Sequence, residues 1–152
     1  MKNSKDLQEF IKSHSLDAEL IEGEDFSTSV SAAQSLNLTP DRILKSIILI
    51  CDNVPVIVFL RGSKRISLAK IKKLGFKHVR LANDKEILEI VNYKRGAVPP
   101  LDLPSNLIKI IDKDIANEYI MYAGGGDLNK TLKIRISDII KINSPKMADV
   151  SQ

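Results

Sequence analysis

The sequence predicts one domain of the mixed α/β (α+β) class, with a largely antiparallel sheet or a partly closed barrel surrounded by helices. Two apolar, β-branched runs at residues 47–50 and 56–60 flank an Asp-Asn pair, which indicates a hairpin. Both runs are continuously apolar, so we expect both faces of this hairpin to be covered at the sheet centre. Helical patterns are interspersed without a regular βαβ repeat, and 152 residues suit one domain.

The segments before the hairpin predict two helices and a short strand. Ser4 is placed to cap a first helix, whose apolar residues recur at i, i+3 and i+4. Residues 18–22 favour a short strand. Thr28 begins a second helix, in which the small side chain of Ala32 permits close approach to another element. Pro40 suits the first position of a further helical turn.

After the hairpin the chain predicts two more helices separated by a short strand. Residues 61–65 form a tight basic loop, and Ser67 then caps a helix that Gly75 ends. Residues 79–81 favour a short strand, and Asn83 caps the next helix.

The remaining third of the chain predicts a rigid loop, three strands and a final helix. Residues 93–104 contain Gly96 and two consecutive prolines, so they form neither a helix nor a central strand. Strands are expected at 107–111, 119–123 and 132–136, with Ser137 capping the last helix.

The domain is expected to span residues 1–143, with residues 144–152 as a flexible C-terminal tail. The glycines at 124–126 lie between two predicted strands, which favours a hairpin turn over a phosphate-binding loop.

Composition excludes several classes of protein. No apolar run approaches the roughly 20 residues that a membrane helix needs, and the N-terminal segment is amphipathic, so we expect a cytoplasmic protein. A single cysteine, Cys51, excludes an internal disulfide, and the two distant histidines make a zinc site improbable. The formal charge of +4 weakly favours a polyanionic partner. The chain has no tryptophan, so a platform of aromatic side chains that stacks the bases of single-stranded nucleic acid is not supported.

Two features carry possible chemistry. Lys45 stands at the start of the most apolar run, so its ammonium either extends to bulk solvent or faces a wet cleft. The loop from Gly96 to Pro100 is stiff and can hold backbone N–H groups in one orientation for a carbonyl or an oxyanion. The alternative for this loop is a rigid connector between a helix and a strand.

Several short motifs follow one another in a defined order along the chain. They are the Thr28 helix with Ala32-Ala33, Ile43-Leu44-Lys45, Gly62, the Gly96 to Pro100 loop, Ile111-Asp112, and Tyr122-Ala123-Gly124. This order resembles the YbaK-like family, the free-standing relatives of the editing (insertion) domain of bacterial prolyl-tRNA synthetase. The resemblance extends over roughly residues 15–142.

The resemblance implies a deacylase that removes a wrong amino acid from tRNA, classically alanine or cysteine from proline tRNA. It implies Lys45, Gly96 and Ala97 as catalytic residues, with no metal, no cofactor and no protein nucleophile. Thr131 is the position nearest to a titratable strand residue of the family. The expected substrate-binding residues are Thr28, Ala32, Ser46, Val98, Pro99, Gly124 and Thr131.

Basic residues near the hairpin are expected to hold the tRNA acceptor stem through its phosphates, without reading bases. The partners expected are a tRNA acceptor end and an aminoacyl-tRNA synthetase. Two alternatives stay open: a non-catalytic tRNA-binding module, and a hydrolase of another small ester. The expected tRNA-binding residues are Arg61, Lys64, Arg65, Lys70, Lys72 and Lys73.

Overall fold

The computed structural model describes residues 1–152 and contains five α-helices and two β-sheets. The larger sheet has the strand order β4-β2-β3-β5-β8, and the smaller has the order β1-β7-β6. The predicted mixed α/β class is confirmed, and the strands form two open sheets rather than a closed barrel. The helices are α1 Ser4–Ser13, α2 Ser29–Ser35, α3 Leu68–Lys72, α4 Asp84–Val91 and α5 Ile136–Asn143. The strands are β1 Glu19–Glu22, β2 Leu44–Cys51, β3 Val54–Arg61, β4 Val79–Leu81, β5 Ile108–Asp112, β6 Ile120–Gly124, β7 Lys130–Arg135 and β8 Lys146–Ala148.

The predicted central hairpin is present. Strands β2 and β3 pair antiparallel along their whole lengths and lie inside the five-stranded sheet. Asp52 and Asn53 join them with φ values of 50° and 66°. Positive φ at both central residues is what a tight two-residue hairpin turn requires.

Both faces of this hairpin are buried, as its continuous apolar pattern predicts. One face packs with α1, α4 and α5 in a core that includes Ile48 and Phe59. The other face, with Leu49 and Val58, packs on Ile71 of α3. No helix is both long enough and apolar enough to span a bilayer.

Two helix caps differ from the predictions. Asn3, rather than Ser4, caps α1, since its side chain accepts from the amide of Lys5. Helix α5 begins after Arg135 without a side-chain cap, so the prediction that Ser137 caps it is wrong. Thr28, Ser67 and Asn83 cap α2, α3 and α4 as predicted.

The C-terminal segment is ordered, so the prediction of a flexible tail is wrong. Strand β8 pairs in parallel with β5. Val150 is fully buried, and the amide of Ser67 donates to its carbonyl oxygen at 2.8 Å. This parallel pairing adds an edge strand to the sheet and covers one side of its core.

Strand β2 has an open stretch on one edge. Strand β4 pairs with it over Leu49–Cys51, and a single bridge joins Tyr122 of β6 to Ile43, the residue before β2. Between these contacts, residues 45–48 pair only with β3 on the opposite edge. A cleft lies along this open stretch.

Candidate active site

A cleft of about 540 Å³ lies beside the open edge of β2. Its lining comes from α2, β2, the loop after α4, β6 and β7. Of the predicted catalytic and substrate-binding residues, all but Ala97 and Pro99 line it. Those that do are Thr28, Ala32, Lys45, Ser46, Gly96, Val98, Gly124 and Thr131.

Lys45 faces this cleft from the start of β2. Its Nζ donates to the carbonyl oxygen of Gly62 at 3.3 Å and also to that of Lys64. Partial burial, together with the charge of nearby Arg65, holds the pKa of Lys45 below its ordinary value. The ammonium is therefore positioned by backbone oxygens, and no carboxylate pairs with it.

Gly96 brings the loop after α4 against the start of α2. Its φ is +85°, and an added Cβ would lie 2.9 Å from the carbonyl oxygen of Ser27. A larger residue would therefore meet both an unfavourable backbone conformation and a steric clash.

Two residues of this loop that line the cleft have backbone donors without a partner. The amide N–H groups of Gly96 and Val98 donate to no acceptor within the chain. The amide of Ala97, in contrast, donates to Lys94 at 2.9 Å, and its carbonyl accepts from Gly126. Ala97 is buried outside the cleft, so the free donors are those of its two neighbours.

The three hydroxyl groups of the predicted substrate-binding residues differ in their use. The Oγ1 of Thr131 donates to the carbonyl of Ala123 at 2.9 Å, and the Oγ1 of Thr28 accepts from Ser31 to cap α2. The Oγ of Ser46 is buried and has no hydrogen-bond partner. Only Ser46 therefore holds a buried hydroxyl whose bonding capacity is unused.

Titratable side chains in the cleft are limited to cations. Its lining contains Lys45 and Arg95, but no aspartate, glutamate, histidine or cysteine. No group of histidine, cysteine or carboxylate side chains in the chain is arranged to hold a metal ion. The cleft can position a substrate and stabilise negative charge, but it offers no side-chain base.

The six predicted tRNA-binding residues lie outside the cleft, and half of them already have anionic partners. Arg61 donates to Asp114 at 2.8 Å and to Glu118 at 2.9 Å, with its side chain only 13% exposed. Lys64 pairs with Asp114, and Lys70 pairs with Asp149. The cations without a carboxylate partner are Arg65, Lys72 and Lys73.

Several lining residues were not among the predicted site residues. Phe26 and Leu128 supply apolar surface, and Arg95 supplies a second cation. Arg95 directly precedes the Gly96 loop, so its place in the chain was the available signal. Phe26 and Leu128 lie in loops, where no pattern distinguishes them from core residues.

Comparisons with known proteins agree with this geometry. Residues 23–142 match the family model described as an aminoacyl-tRNA editing domain. The chain belongs to this family. The predicted resemblance is thereby confirmed, and every lining residue of the cleft falls inside the matched range.

Related editing domains occur inside larger enzymes. The proline–tRNA ligase of Halalkalibacterium halodurans is 29% identical over 117 residues, which are 76% of this chain and 20% of the ligase. That of Aquifex aeolicus is 33% identical over 82 residues, covering 53% of this chain and 14% of the ligase. This editing domain therefore spans about a fifth or less of the curated relatives it matches.

Solved structures share the whole fold. A hypothetical protein superposes with a TM-score of 0.89 at 30% identity, covering 96% of this chain and 99% of that one. A protein proposed to be a trans-editing enzyme for prolyl tRNA synthetase gives a TM-score of 0.87 at 20% identity, covering 98% and 96%. These matches span nearly the full length of both chains, so the editing domain shares their whole fold.

Proposed function

We propose that this editing domain is a deacylase that hydrolyses the ester of mischarged aminoacyl-tRNA carrying a small amino acid, alanine or cysteine on a proline-type tRNA being the first candidates. The observation that carries the proposal is the convergence of Lys45, Gly96 and Val98 on one cleft within the editing-domain match. The residue Ala32 in α2 keeps part of the lining small, which favours a small amino acid.

The proposed reaction requires few catalytic groups from the protein. An aminoacyl ester is already activated, so catalysis consists mainly of holding the ester, admitting water and stabilising the oxyanion that develops. The free N–H groups of Gly96 and Val98 are suited to that oxyanion. Because the cleft has no side-chain base, the neighbouring ribose hydroxyl of the substrate is the group proposed to assist the attacking water.

Lys45 contributes charge rather than a covalent bond in this proposal. Its ammonium is fixed by the carbonyl oxygens of Gly62 and Lys64, and Lys45 lines the cleft. A fixed cation there attracts the terminal phosphate or ribose of the acceptor end. Losing a contact that positions the ester can cost about a hundredfold in rate.

The test compares two lysines with similar contacts. Lys109 also donates to two carbonyl oxygens, those of Pro104 and Leu107, but it lies outside the cleft. We expect wild type and Lys109→Ala to release alanine, cysteine or serine from charged tRNA, and Lys45→Ala to lose most of this activity. Equal activity of the two variants, or no ester loss above the buffer rate in wild type, would overturn the proposal.

A non-catalytic tRNA-binding module is the second candidate. The observation in its favour is Thr131, whose hydroxyl is committed to Ala123 and which cannot titrate. Salt-sensitive binding of charged tRNA without ester loss would select this candidate.

A further inference from the structure

A second cavity of about 630 Å³ continues from the cleft along β2. Five residues line both spaces, namely Ser46, Ile47, Ile48, Ile87 and Arg95. The far side of this second chamber consists of Leu81, Ala82 and the first turn of α4. The cleft and the second chamber are therefore two halves of one groove.

The ends of the strand pairing explain where the second chamber lies. The amide of Ala82 donates to the carbonyl of Ile48 at 2.9 Å, and no strand pairs with this edge of β2 from there back to Ile43. The adjoining first turn of α4 is held in place by its own contacts. Arg80 contacts both carboxylate oxygens of Glu86 at 2.8 Å, and the same carboxylate accepts from the amide of Asn83.

The lining combines an exposed apolar surface with cations. Leu81 is 56% exposed although it is a leucine in a strand. Lys85 has no carboxylate partner, and Arg95 meets only Asp84, in a pair at 3.4 Å whose side chains are both about three-quarters exposed. Such an exposed pair is weak, so both cations are available to an anionic ligand.

These features match one nucleotide of a single strand. A nucleobase presents a flat apolar face to Leu81, and its phosphate carries the charge that Arg95 and Lys85 attract. Asp84, at the rim, is an acceptor suited to an exocyclic amino group. The position of Arg95, on the boundary of the two chambers, suits the phosphate that joins two consecutive nucleotides.

We propose that the second chamber receives the nucleotide that precedes the esterified adenosine of the tRNA acceptor end. This inference rests on the proposed function, because the cleft must hold that terminal adenosine. The base lies against Leu81, and the linking phosphate lies beside Arg95. The groove then orients the ester by holding the acceptor end of the tRNA at two nucleotides rather than one.

Binding of ligands that carry no esterified amino acid tests the second chamber without requiring hydrolysis. We expect the dinucleotide CpA to shift the backbone amide resonances of residues 81–83, whereas adenosine 5′-monophosphate leaves them in place. We also expect CpA to bind about fivefold more tightly than the mononucleotide. Unshifted amides at 81–83 with millimolar CpA, or equal binding of the two ligands, would overturn the inference.

Matched variants locate the contact. Leu81→Ser and Arg95→Ala should remove the advantage of CpA. Leu88→Ser and Lys94→Ala should keep it, since Leu88 is also an exposed leucine and Lys94 an adjacent cation, yet neither lines the two chambers. Loss of the advantage in the control variants as well would overturn the assignment of the chamber. Failure of wild type to hydrolyse any aminoacyl-tRNA would instead overturn the proposed function, whatever CpA shows.

Discussion

Gly124 and Val98 are in direct backbone contact: a Cβ atom on Gly124 would lie 2.1 Å from the carbonyl oxygen of Val98. No side chain can occupy that space without moving backbone. Gly124 ends β6, and Val98 belongs to the loop after α4 that lines the cleft. The absence of a side chain at position 124 therefore sets how far this loop advances toward β2.

Substituting Gly124→Ala should displace the loop and reduce kcat/KM for aminoacyl-tRNA by about a hundredfold, since displacements of about 1 Å at reacting groups have effects of this size. The measurement is steady-state deacylation beside a urea unfolding curve. Gly75→Ala is the control, because Gly75 has φ +116° and no atom within 4 Å of an added Cβ. It should lose about 1 kcal/mol of stability with unchanged kinetics. A folded Gly124→Ala protein with wild-type kinetics would contradict this explanation.

Ser46→Ala should separate stability from activity. The Oγ of Ser46 is buried without a partner, so its removal should leave the free energy of unfolding unchanged or raise it by up to about 1 kcal/mol. Because a bound substrate can satisfy this hydroxyl, kcat/KM should fall about tenfold for the amino acid preferred by wild type.

Thr131→Val provides the contrasting case for Ser46→Ala. It removes the hydrogen bond to Ala123 and should lower the free energy of unfolding by about 1–2 kcal/mol. A large stability loss in Ser46→Ala would show that its hydroxyl has a structural partner and would refute the assigned role.

The fold was predictable where the signal is local, as in the Asp52-Asn53 hairpin. Strand β8 was not, because its pairing with β5 joins segments more than thirty residues apart and its three residues are too few to show a strand pattern. In the site, the motif order indicated the loop from Gly96 to Pro100. The loop amides that stay free are determined by the hydrogen bonds that Ala97 makes with Lys94 and Gly126. The spacing of motifs along the chain does not predict those bonds.

The ion pair between Arg80 and Glu86 should make α4 sensitive to acid. Hydrogen bonds from Arg80 and from the amide of Asn83 lower the pKa of Glu86 to about 2. Because the pKa of Glu86 is lower in the folded state, its ionised carboxylate stabilises the folded protein. This contribution to the free energy of unfolding is complete above the unfolded pKa of about 4.3 and is lost as the pH falls toward about 2.

Glu86→Gln should therefore be less stable than wild type at pH 7, and the difference should shrink steadily between about pH 4.5 and pH 2. Urea unfolding at a series of pH values measures it. Glu89→Gln on the same helix is the control, since it removes a carboxylate that makes no ion pair. A pH-independent difference between Glu86→Gln and wild type would refute the role of the charge.

The basic residues should divide into a structural group and a tRNA-binding group. Arg61→Ala leaves Asp114 and Glu118 without their buried partner, so it should lower the free energy of unfolding by about 1–3 kcal/mol. Lys72→Ala and Lys73→Ala should leave stability unchanged but weaken tRNA binding, and each should reduce the salt slope of log K by about 0.9. Neither lysine substitution should change the rate at which a small aminoacyl ester is hydrolysed. If these lysine variants bind tRNA as wild type does at every salt concentration, the acceptor stem does not contact α3.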